Sequence, residues 1–297
     1  MKNKILLVLG TILSSLTFQC EAAPYAILTR EIRLNGYNLF ADSFDSSDPL
    51  QSTDGHYDPL KGGGDLAYVG SEAGILNSIN VGTVEIWGRL ETGLPFLLEA
   101  SAQSSIGSMA WHLSGQTGIE PGFHTTNSVP VFPDVQPPFV GALVPASGMY
   151  NGVFYNYILS TGNYRLTSLT MSGGQKMLVI GTAQLDVPGN VNLSGNSHIL
   201  VLPSASLRLY VSGTANFRGN GIINQGVAQN FMYFGTGTSS TLNLRVTTPF
   251  VGTIYAPYAV CTISSSGNVT ADLQGSIAAR IIELEADSNF HADAALW

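Results

Sequence analysis

Apolar and polar residues alternate over short stretches of this chain with a period of two residues. Such alternation is typical of strands that bury one face. Beyond the N-terminal segment, no apolar stripe with the 3.6-residue period of a helix continues for more than two turns. The pattern therefore predicts an all-β chain. The clearest alternating stretches are residues 84–90, 176–180, 183–187, 198–202, 206–211, 241–246 and 281–285.

Turn-forming residues separate these stretches, and from Leu166 onwards a short strand recurs about every 8–12 residues. A β-sandwich or barrel has this rhythm, and so does a parallel β-solenoid. Hairpin-forming Asn-Gly and Asp-Gly pairs are few, whereas Gly-Asn and Ser-Gly are frequent. We therefore expect a parallel, β-helix-like solenoid. Its corner side chains would bond along the stack, and the candidates are Asn190, Asn196, Asn216, Asn220 and Asn224.

The first residues have the pattern of a secretion signal. Lys2 and Lys4 precede an apolar run over residues 5–18, and Cys20 and Ala22 offer small residues at cleavage spacing. We expect a cleaved signal helix over residues 1–22 and export to the periplasm, the outer surface or the medium. An uncleaved anchor and a lipoprotein are the alternatives. No later stretch has 18 uninterrupted apolar residues, so we expect no transmembrane span in the mature chain.

Three regions follow the signal peptide. Residues 23–120 read as an N-terminal β region with an acidic loop, and residues 151–297 as a C-terminal β-solenoid array. Between them, residues 121–150 contain six prolines and are excluded from a central strand. This Pro-rich segment is expected to be a long crossing loop or a joint between domains.

Composition narrows the range of partners. Charged residues make up 11% of the chain, against roughly a quarter in typical globular domains. Without residues 1–22 the net charge is −9, from 10 basic and 19 acidic residues. An acidic surface repels phosphate backbones, so nucleic acid is not expected as a partner. Cys261 would be the one cysteine left, which excludes an intramolecular disulfide.

Several segments resemble a family of exported bacterial proteins of unknown function. The sequence DSFDS at 42–46 resembles the family's start, FVGTIYAP at 250–257 its F-x-G-x-IYAP segment, and HADAAL at 291–296 its final H-x-D-x-x-L. The chain departs from the family at Ala292 and Ala294, where Tyr and Glu are usual. The C-terminal part is also similar to choice-of-anchor A adhesin-like domains and to pilus-assembly-associated domains. The resemblance implies a surface-associated protein and no assigned activity.

The acidic loop is a candidate calcium site, because calcium takes six to eight oxygen ligands and flexible loops supply them. The D-x-[DN]-x-[DN]-G pattern is absent, and Asp also favours turns without any metal. The predicted ligands are Asp42, Asp45, Asp48, Asp54 and Asp58.

Other candidates have structural alternatives. His291 and Asp293 would share one face of an extended strand, and we expect them to form a C-terminal cap. Glu283 and Glu285 would also share a face and could form an acid pair, although we favour an exposed face of a terminal strand. Cys261 lies in an apolar run and reads as buried. Aromatic residues suited to stacking on sugars, or to a core, are Trp87, Trp111, Tyr150, Phe154, Tyr155 and Tyr157.

Together these features favour an exported, non-catalytic structural or adhesive protein of the bacterial envelope or surface. Its expected partners are further copies of itself or a surface polysaccharide, and no cofactor is expected beyond the calcium considered above. The alternative is a β-helix polysaccharide lyase or hydrolase that uses the acidic loop as its calcium site. A minor subunit of a pilus or secretion system is a third hypothesis, and only the resemblance suggests it.

Overall fold

The alternating stretches form strands, and the prediction of an all-β chain is confirmed. The computed structural model describes residues 25–61, 63–76, 82–95, 97–127, 132–140, 142–267 and 269–297. The expected signal peptide at 1–22 lies outside the described residues. In the part of the chain that is described, no helix is long and apolar enough to cross a membrane.

The elements of the N-terminal region are β1 (Tyr25–Arg33), β2 (Leu39–Phe44), β3 (Ser52–Thr53), β4 (His56–Tyr57), β5 (Ala67–Ser71), β6 (Gly74–Leu76), β7 (Val84–Thr92), β8 (Leu97–Leu98), β9 (Ser105–Gly107), the short helix α1 (Met109–Leu113), β10 (Gly118–Ile119) and β11 (His124–Thr126). The strands that follow are β12 (Ala146–Tyr150), β13 (Val153–Leu159), β14 (Gly162–Arg165), β15 (Leu169–Met171), β16 (Lys176–Val179), β17 (Thr182–Val187), β18 (Val191–Leu193), β19 (His198–Val201), β20 (Ser206–Val211), β21 (Ala215–Phe217), β22 (Gly221–Asn224), β23 (Phe231–Gly235), β24 (Thr241–Val246), β25 (Phe250–Ser265), β26 (Ala271–Leu284) and β27 (Ser288–Asp293). Short 3-10 turns span Ala228–Asn230 and Ala294–Leu296.

Nearly all strand pairs are parallel and follow a regular sequence interval. Gly162 pairs with Ala183, Ala183 with Leu207, and Leu207 with Phe231, so the steps along this first ladder are 21, 24 and 24 residues. A second ladder joins β15, β18, β21 and β24, and a third joins β13, β16, β19 and β22. Parallel partners need a crossover between them, and here each crossover contains strands of the other two ladders.

The N-terminal strands continue the sheet of the C-terminal strands. β1 lies between β26 and β5, and β2 lies between β27 and β7, all in parallel pairing. One row of core side chains therefore crosses both regions in register, each of them buried. Its members are Tyr164, Leu185, Leu209, Tyr233, Ile254, Ile277, Ile27, Val69 and Leu90.

The pairings also close on themselves where the two regions meet. β1 pairs with β26, β26 with β27, β27 with β2, β2 with β7, β7 with β5, and β5 with β1. These six strands form a closed parallel barrel within the large sheet. The ring ties strands of residues 25–92 to strands of residues 271–293 from both sides.

The Pro-rich segment runs along the outside of the first ladder. The Tyr255 hydroxyl donates a hydrogen bond to the Pro133 carbonyl at 2.6 Å, and the Phe139 ring meets Tyr210 edge-on at 6.3 Å. Leu143 then forms a bridge with Tyr164. The described residues Pro133, Phe139 and Leu143 thus contact β25, β20 and β14 in turn.

Glycines allow close approach of neighbouring backbones inside this stack. Gly275 of β26 pairs with Gly252 of β25, and its φ is +133°. A Cβ atom at Gly275 would lie 2.1 Å from the Gly252 carbonyl oxygen. Only glycine fits this backbone conformation and this contact without displacement of the strand.

We expect Gly275→Ala to lower the free energy of unfolding by about 2–3 kcal/mol, through both the collision and the backbone strain. Gly174→Ala is the matched control, because a Cβ atom there meets nothing within 4 Å. That control should change stability by less than about 0.5 kcal/mol. Urea denaturation of both variants measures the difference, and equal losses would contradict the close-approach explanation.

Candidate functional site

A buried polar cluster lies where β26 and β27 meet β1 and β2, a boundary that we call the seam. β2 and β27 pair in register there, with Asp42 beside His291 and Phe44 beside Asp293. The DSFDS and HADAAL segments are therefore direct neighbours across the seam. We define the seam cluster as Asp42, Tyr57, Asp272, Gln274, His291 and Asp293.

His291 forms the centre of the seam cluster. Its Nδ1 atom lies 2.5 Å from Oδ1 of Asp42, and both side chains are buried. A carboxylate can only accept in such a bond, which is the role that the Asp42 oxygen has when Nδ1 is the donor. The Tyr57 ring stacks on the imidazole with centroids 3.5 Å apart and planes 14° apart.

Tyr57 completes the hydrogen bonding of Asp42. Its hydroxyl donates to Oδ2 of Asp42 at 2.9 Å, so both carboxylate oxygens have a donor. Burial raises the pKa of Tyr57 far above its usual value, and the negative charge of Asp42 raises it further. The phenol therefore stays protonated and remains a donor throughout the physiological pH range.

A second carboxylate approaches His291 from the opposite side. Oδ2 of Asp272 lies 3.9 Å from Nε2 of His291. Burial raises the pKa of Asp272 above its usual value, while His291 and Gln274 oppose this shift. Gln274 also accepts a hydrogen bond from the Tyr57 backbone N–H at 3.1 Å, which fixes the β4 hairpin over the cluster.

Asp293 holds the last turn of the chain and the loop after β2. Its Oδ1 atom accepts hydrogen bonds from the backbone N–H groups of Ser46 at 3.0 Å and Ala295 at 3.1 Å. The side chain is fully buried, and among the described residues its Oδ2 atom has no hydrogen-bond partner. Asp293 is the N-cap of the terminal 3-10 turn, a usual position for aspartate.

Gly63 and Gly64 have a structural role at this site. A Cβ atom at Gly63 would lie 1.9 Å from Oδ2 of Asp42, and the Gly64 and Ser43 backbones hydrogen-bond to each other in both directions. The chain can cover Asp42 closely only because Gly63 has no side chain.

The arrangement is chemically suited to holding segments together. His291 is 3% exposed and Asp42 is 1% exposed, so neither presents a free atom to solvent. The cluster joins residues of β2, the β4 hairpin, β26 and β27, with contacts that span up to 249 residues of sequence. Loss of one member would leave a buried donor or charge without its partner.

The structure distributes the predicted calcium ligands over separate contacts. Asp45 accepts hydrogen bonds from Ser47, Asp48 from the Leu50 N–H, and Asp58 from the Leu60 N–H, as in Asx-turns. Asp54 has a φ of +53° in the turn between β3 and β4. Within the described ranges, no three or more His, Cys, Asp or Glu side chains are grouped to hold a metal. Calcium binding stays a prediction, without a common centre for its ligands.

The predicted His291–Asp293 cap has a different form. The partner of His291 is Asp42 on the neighbouring strand, and Asp293 bonds to Ser46 and Ala295. β27 lies between β26 and β2, so both residues fix the C-terminal strand inside the stack. The sequence interpretation made them a C-terminal cap and named no partner strand, because local patterns carry no information on which strand would pair with β27.

The other candidate residues also have structural roles. Glu283 forms an ion pair with Arg33 at 2.6 Å across the seam, whereas the Glu285 side chain is exposed. Cys261 is buried, and burial raises the pKa of its thiol to about 12.

The aromatic candidates are divided between the two ends of the stack. Trp87 stacks on His112 with centroids 5.2 Å apart, and Trp111 lies in α1. Tyr150, Phe154, Tyr155 and Tyr157 lie on β12 and β13 at the other end.

Sequence reasoning missed Tyr57, Asp272 and Gln274 as partners of His291. The signal that would have found the site is the presence of two short motifs, DSFDS and HADAAL, each with a carboxylate. Both were recognised as motifs, but local patterns carry no information on pairing between positions 42 and 291.

We expect Asp42→Ala to lower the free energy of unfolding by about 3–5 kcal/mol, because it leaves the buried His291 imidazole and the half-buried Tyr57 hydroxyl without their partner. Asp45→Ala is the matched control, three residues later, where only local turn bonds to Ser47 are lost. It should cost less than about 1 kcal/mol. Chemical denaturation measures the free energy of unfolding of both variants. If Asp42→Ala loses no more than Asp45→Ala, Asp42 does not have the stabilising role described here.

The raised pKa of Asp272 predicts a pH dependence with a defined sign. A raised pKa favours the protonated form in the folded state, so this group's contribution falls as pH rises above the ordinary value of 3.8. The stability of Asp272→Asn relative to the unmodified chain should therefore increase with pH in that range. Denaturant titrations between about pH 4 and pH 7 measure it.

Asp58→Asn is the opposite control. The Thr53 hydroxyl and the Leu60 N–H lower the pKa of Asp58, so its contribution is present above 3.8 and lost as pH falls. The relative stability of this variant should decrease as pH rises. If the relative stabilities of Asp272→Asn and Asp58→Asn change with pH in the same direction, the opposite pKa shifts of the two carboxyl groups are contradicted.

Comparisons with known proteins bear on the C-terminal half. Residues 151–297 match the family model described as "Domain of unknown function (DUF7305)". The matched segment begins in the turn between β12 and β13 and contains FVGTIYAP and HADAAL, while DSFDS lies outside it. No curated protein and no solved structure is significantly similar to the chain. The C-terminal part is thus similar to a domain family whose function is unknown.

Proposed function

We propose that this chain is a non-catalytic structural or adhesive protein, exported through an N-terminal signal peptide to the bacterial envelope or surface. Its strands would wind as one parallel β-solenoid that includes both regions. The observation that carries the proposal is the regular parallel pairing, which continues from β14 through β26 into β1, β5 and β7.

The solenoid interpretation is supported by three ladders whose sequence intervals all lie between 20 and 27 residues. In the third ladder, Lys176 pairs with His198 and His198 pairs with Gly221, which are intervals of 22 and 23 residues. Long strands account for the closed ring. β26 pairs with β27 through residues 271–275 and with β1 through residues 277–283, so it belongs to two ladders at once.

A structural or adhesive role would use the stack passively. Each coil contacts its neighbours along the whole length, so local opening breaks many backbone hydrogen bonds together. Equivalent positions also present equivalent groups: Asn192 pairs with Asn216 and Asn216 with Asn243, and the last two amides bond at 2.6 Å. A row of like polar groups offers repeated contacts to a polymer such as a surface polysaccharide.

The proposal is tested by fractionation of producing cells and by incubation with isolated surface polysaccharide. The chain should appear in the envelope or surface fraction, and the polysaccharide should keep its length. A chain that begins at Ala23, behind an initiator Met, is the export control and should stay in the cytoplasm. Cytoplasmic location of the full chain, or shortening of the polysaccharide, would contradict the proposal. Repeating the fractionation in chelator tests the calcium prediction separately.

A further inference from the structure

The stack ends at a strand whose outer edge is open. Among the described residues, β12 pairs only with β13, and it is the outermost strand of the five-stranded sheet β12–β13–β16–β19–β22. An edge strand presents unpaired N–H and C=O groups and can accept a further strand. The antiparallel hairpin begins its turn at Asn151 and Gly152, which have φ values of +48° and +78°.

This edge lacks two of the features that usually prevent association, namely charge and proline, although β12 is short and its pairing is irregular at one point. Residues 135–164 contain no Asp, Glu, Lys, Arg or His, in a chain with a net charge of −8. β12 itself contains no proline. Charged side chains and proline are common means by which edge strands avoid pairing with another chain. A register shift between Ala146 and Gly148 confines regular pairing to the part of β12 nearest the turn.

Apolar side chains are exposed beside the open edge. Met149 pairs with Phe154, so both lie on the same face of the hairpin, and they are 64% and 54% exposed. Val153, next to Phe154, is also exposed. Burial of such a pair stabilises association in proportion to the apolar area removed from water.

Charge identifies the occupant of this edge. Copies of an acidic chain repel one another, and the repulsion is least where both surfaces are uncharged. The opposite end of the stack carries Glu91, Glu99 and Glu120 on or beside β7, β8 and β10. Two copies of the same edge strand can also pair with each other about a twofold axis, because that axis places the two strands in antiparallel orientation.

We propose that the outer edge of β12 is an interface at which a second copy of this chain pairs its own β12 in antiparallel orientation. Met149 and Phe154 of the two copies would form its apolar part. The proposal names a partner for the structural role suggested above and rests on that role only for its biological meaning, because self-association is measured on the purified chain.

Sedimentation velocity of the mature chain at increasing concentration tests the interface. We expect a dimer whose dissociation constant does not rise with salt, since the interface contains no charge and salt screens the repulsion between copies. Met149→Lys should weaken dimerisation by about tenfold or more, because the twofold axis brings two like charges together. Phe154→Lys repeats this test from the paired strand, in case the first variant fails to fold.

Leu113→Lys is the matched control, because Leu113 is a 74% exposed apolar residue of α1 at the opposite end of the stack. It should leave the dissociation constant unchanged. As a second measurement, Met149→Cys should form a disulfide-linked dimer on oxidation, whereas Leu113→Cys should not. Cys261 is buried and does not interfere.

A chain that stays monomeric at its highest soluble concentration would overturn the interface. A dimer that is weakened by Leu113→Lys, and by neither Met149→Lys nor Phe154→Lys, would also overturn it. A monomer that nevertheless fractionates with the envelope would overturn this interface and leave the proposed function intact. A dimer whose full chain stays in the cytoplasm would support this interface and contradict the proposed function.

Discussion

Both edges of β1 are occupied by strands that are distant in sequence, β26 on one side and β5 on the other. The rest of the fold depends on the pairing of β1 with β26, because this pairing joins the N-terminal and C-terminal regions into one hydrogen-bonded sheet with one continuous row of core side chains. Side-chain contacts between β1 and β26 stabilise this pairing. Arg33 forms an ion pair with Glu283, and the Thr29 hydroxyl donates a hydrogen bond to the Arg280 carbonyl at 3.1 Å. Non-local pairing of this kind is formed only after a large cost in chain entropy, so it needs specific contacts to favour one register.

The seam cluster supplies that specificity with very few charges. Buried ionisable groups are costly unless they are paired, and here Asp42 has two donors while His291 lies between two carboxylates. A shift of β27 by one residue would move His291 away from Asp42 and turn it to the other face of the sheet. The cluster therefore fixes the register of β2 against β27 more strictly than interchangeable aliphatic side chains would.

Local patterns predicted the strands and could not predict their partners. Alternation in residues 206–211 and 241–246 corresponds to β20 and β24, because a half-buried strand imposes its period on its own sequence. No such local imprint exists for the contact of Asp42 with His291, 249 residues apart. The Asx-turns at Asp45, Asp48 and Asp58 show why acidic spacing alone does not identify a metal site: turn formation and metal binding select the same residue type. Asparagine was a better guide, since Asn216 and Asn224 do bond along the stack.

The position of β1 also sets the order in which the chain becomes complete. Residues 25–33 emerge early in synthesis, yet one side of this strand remains unpaired until residues 271–284 have followed. Until then β1 presents a row of free backbone groups, and the hairpin that covers Asp42 has no His291 to stack on. A polypeptide that lacks those residues keeps one edge of β1 unpaired, and proteases that cleave extended backbone can attack it there. The join between early and late residues thus makes the stability of the first strand depend on residues 271–284.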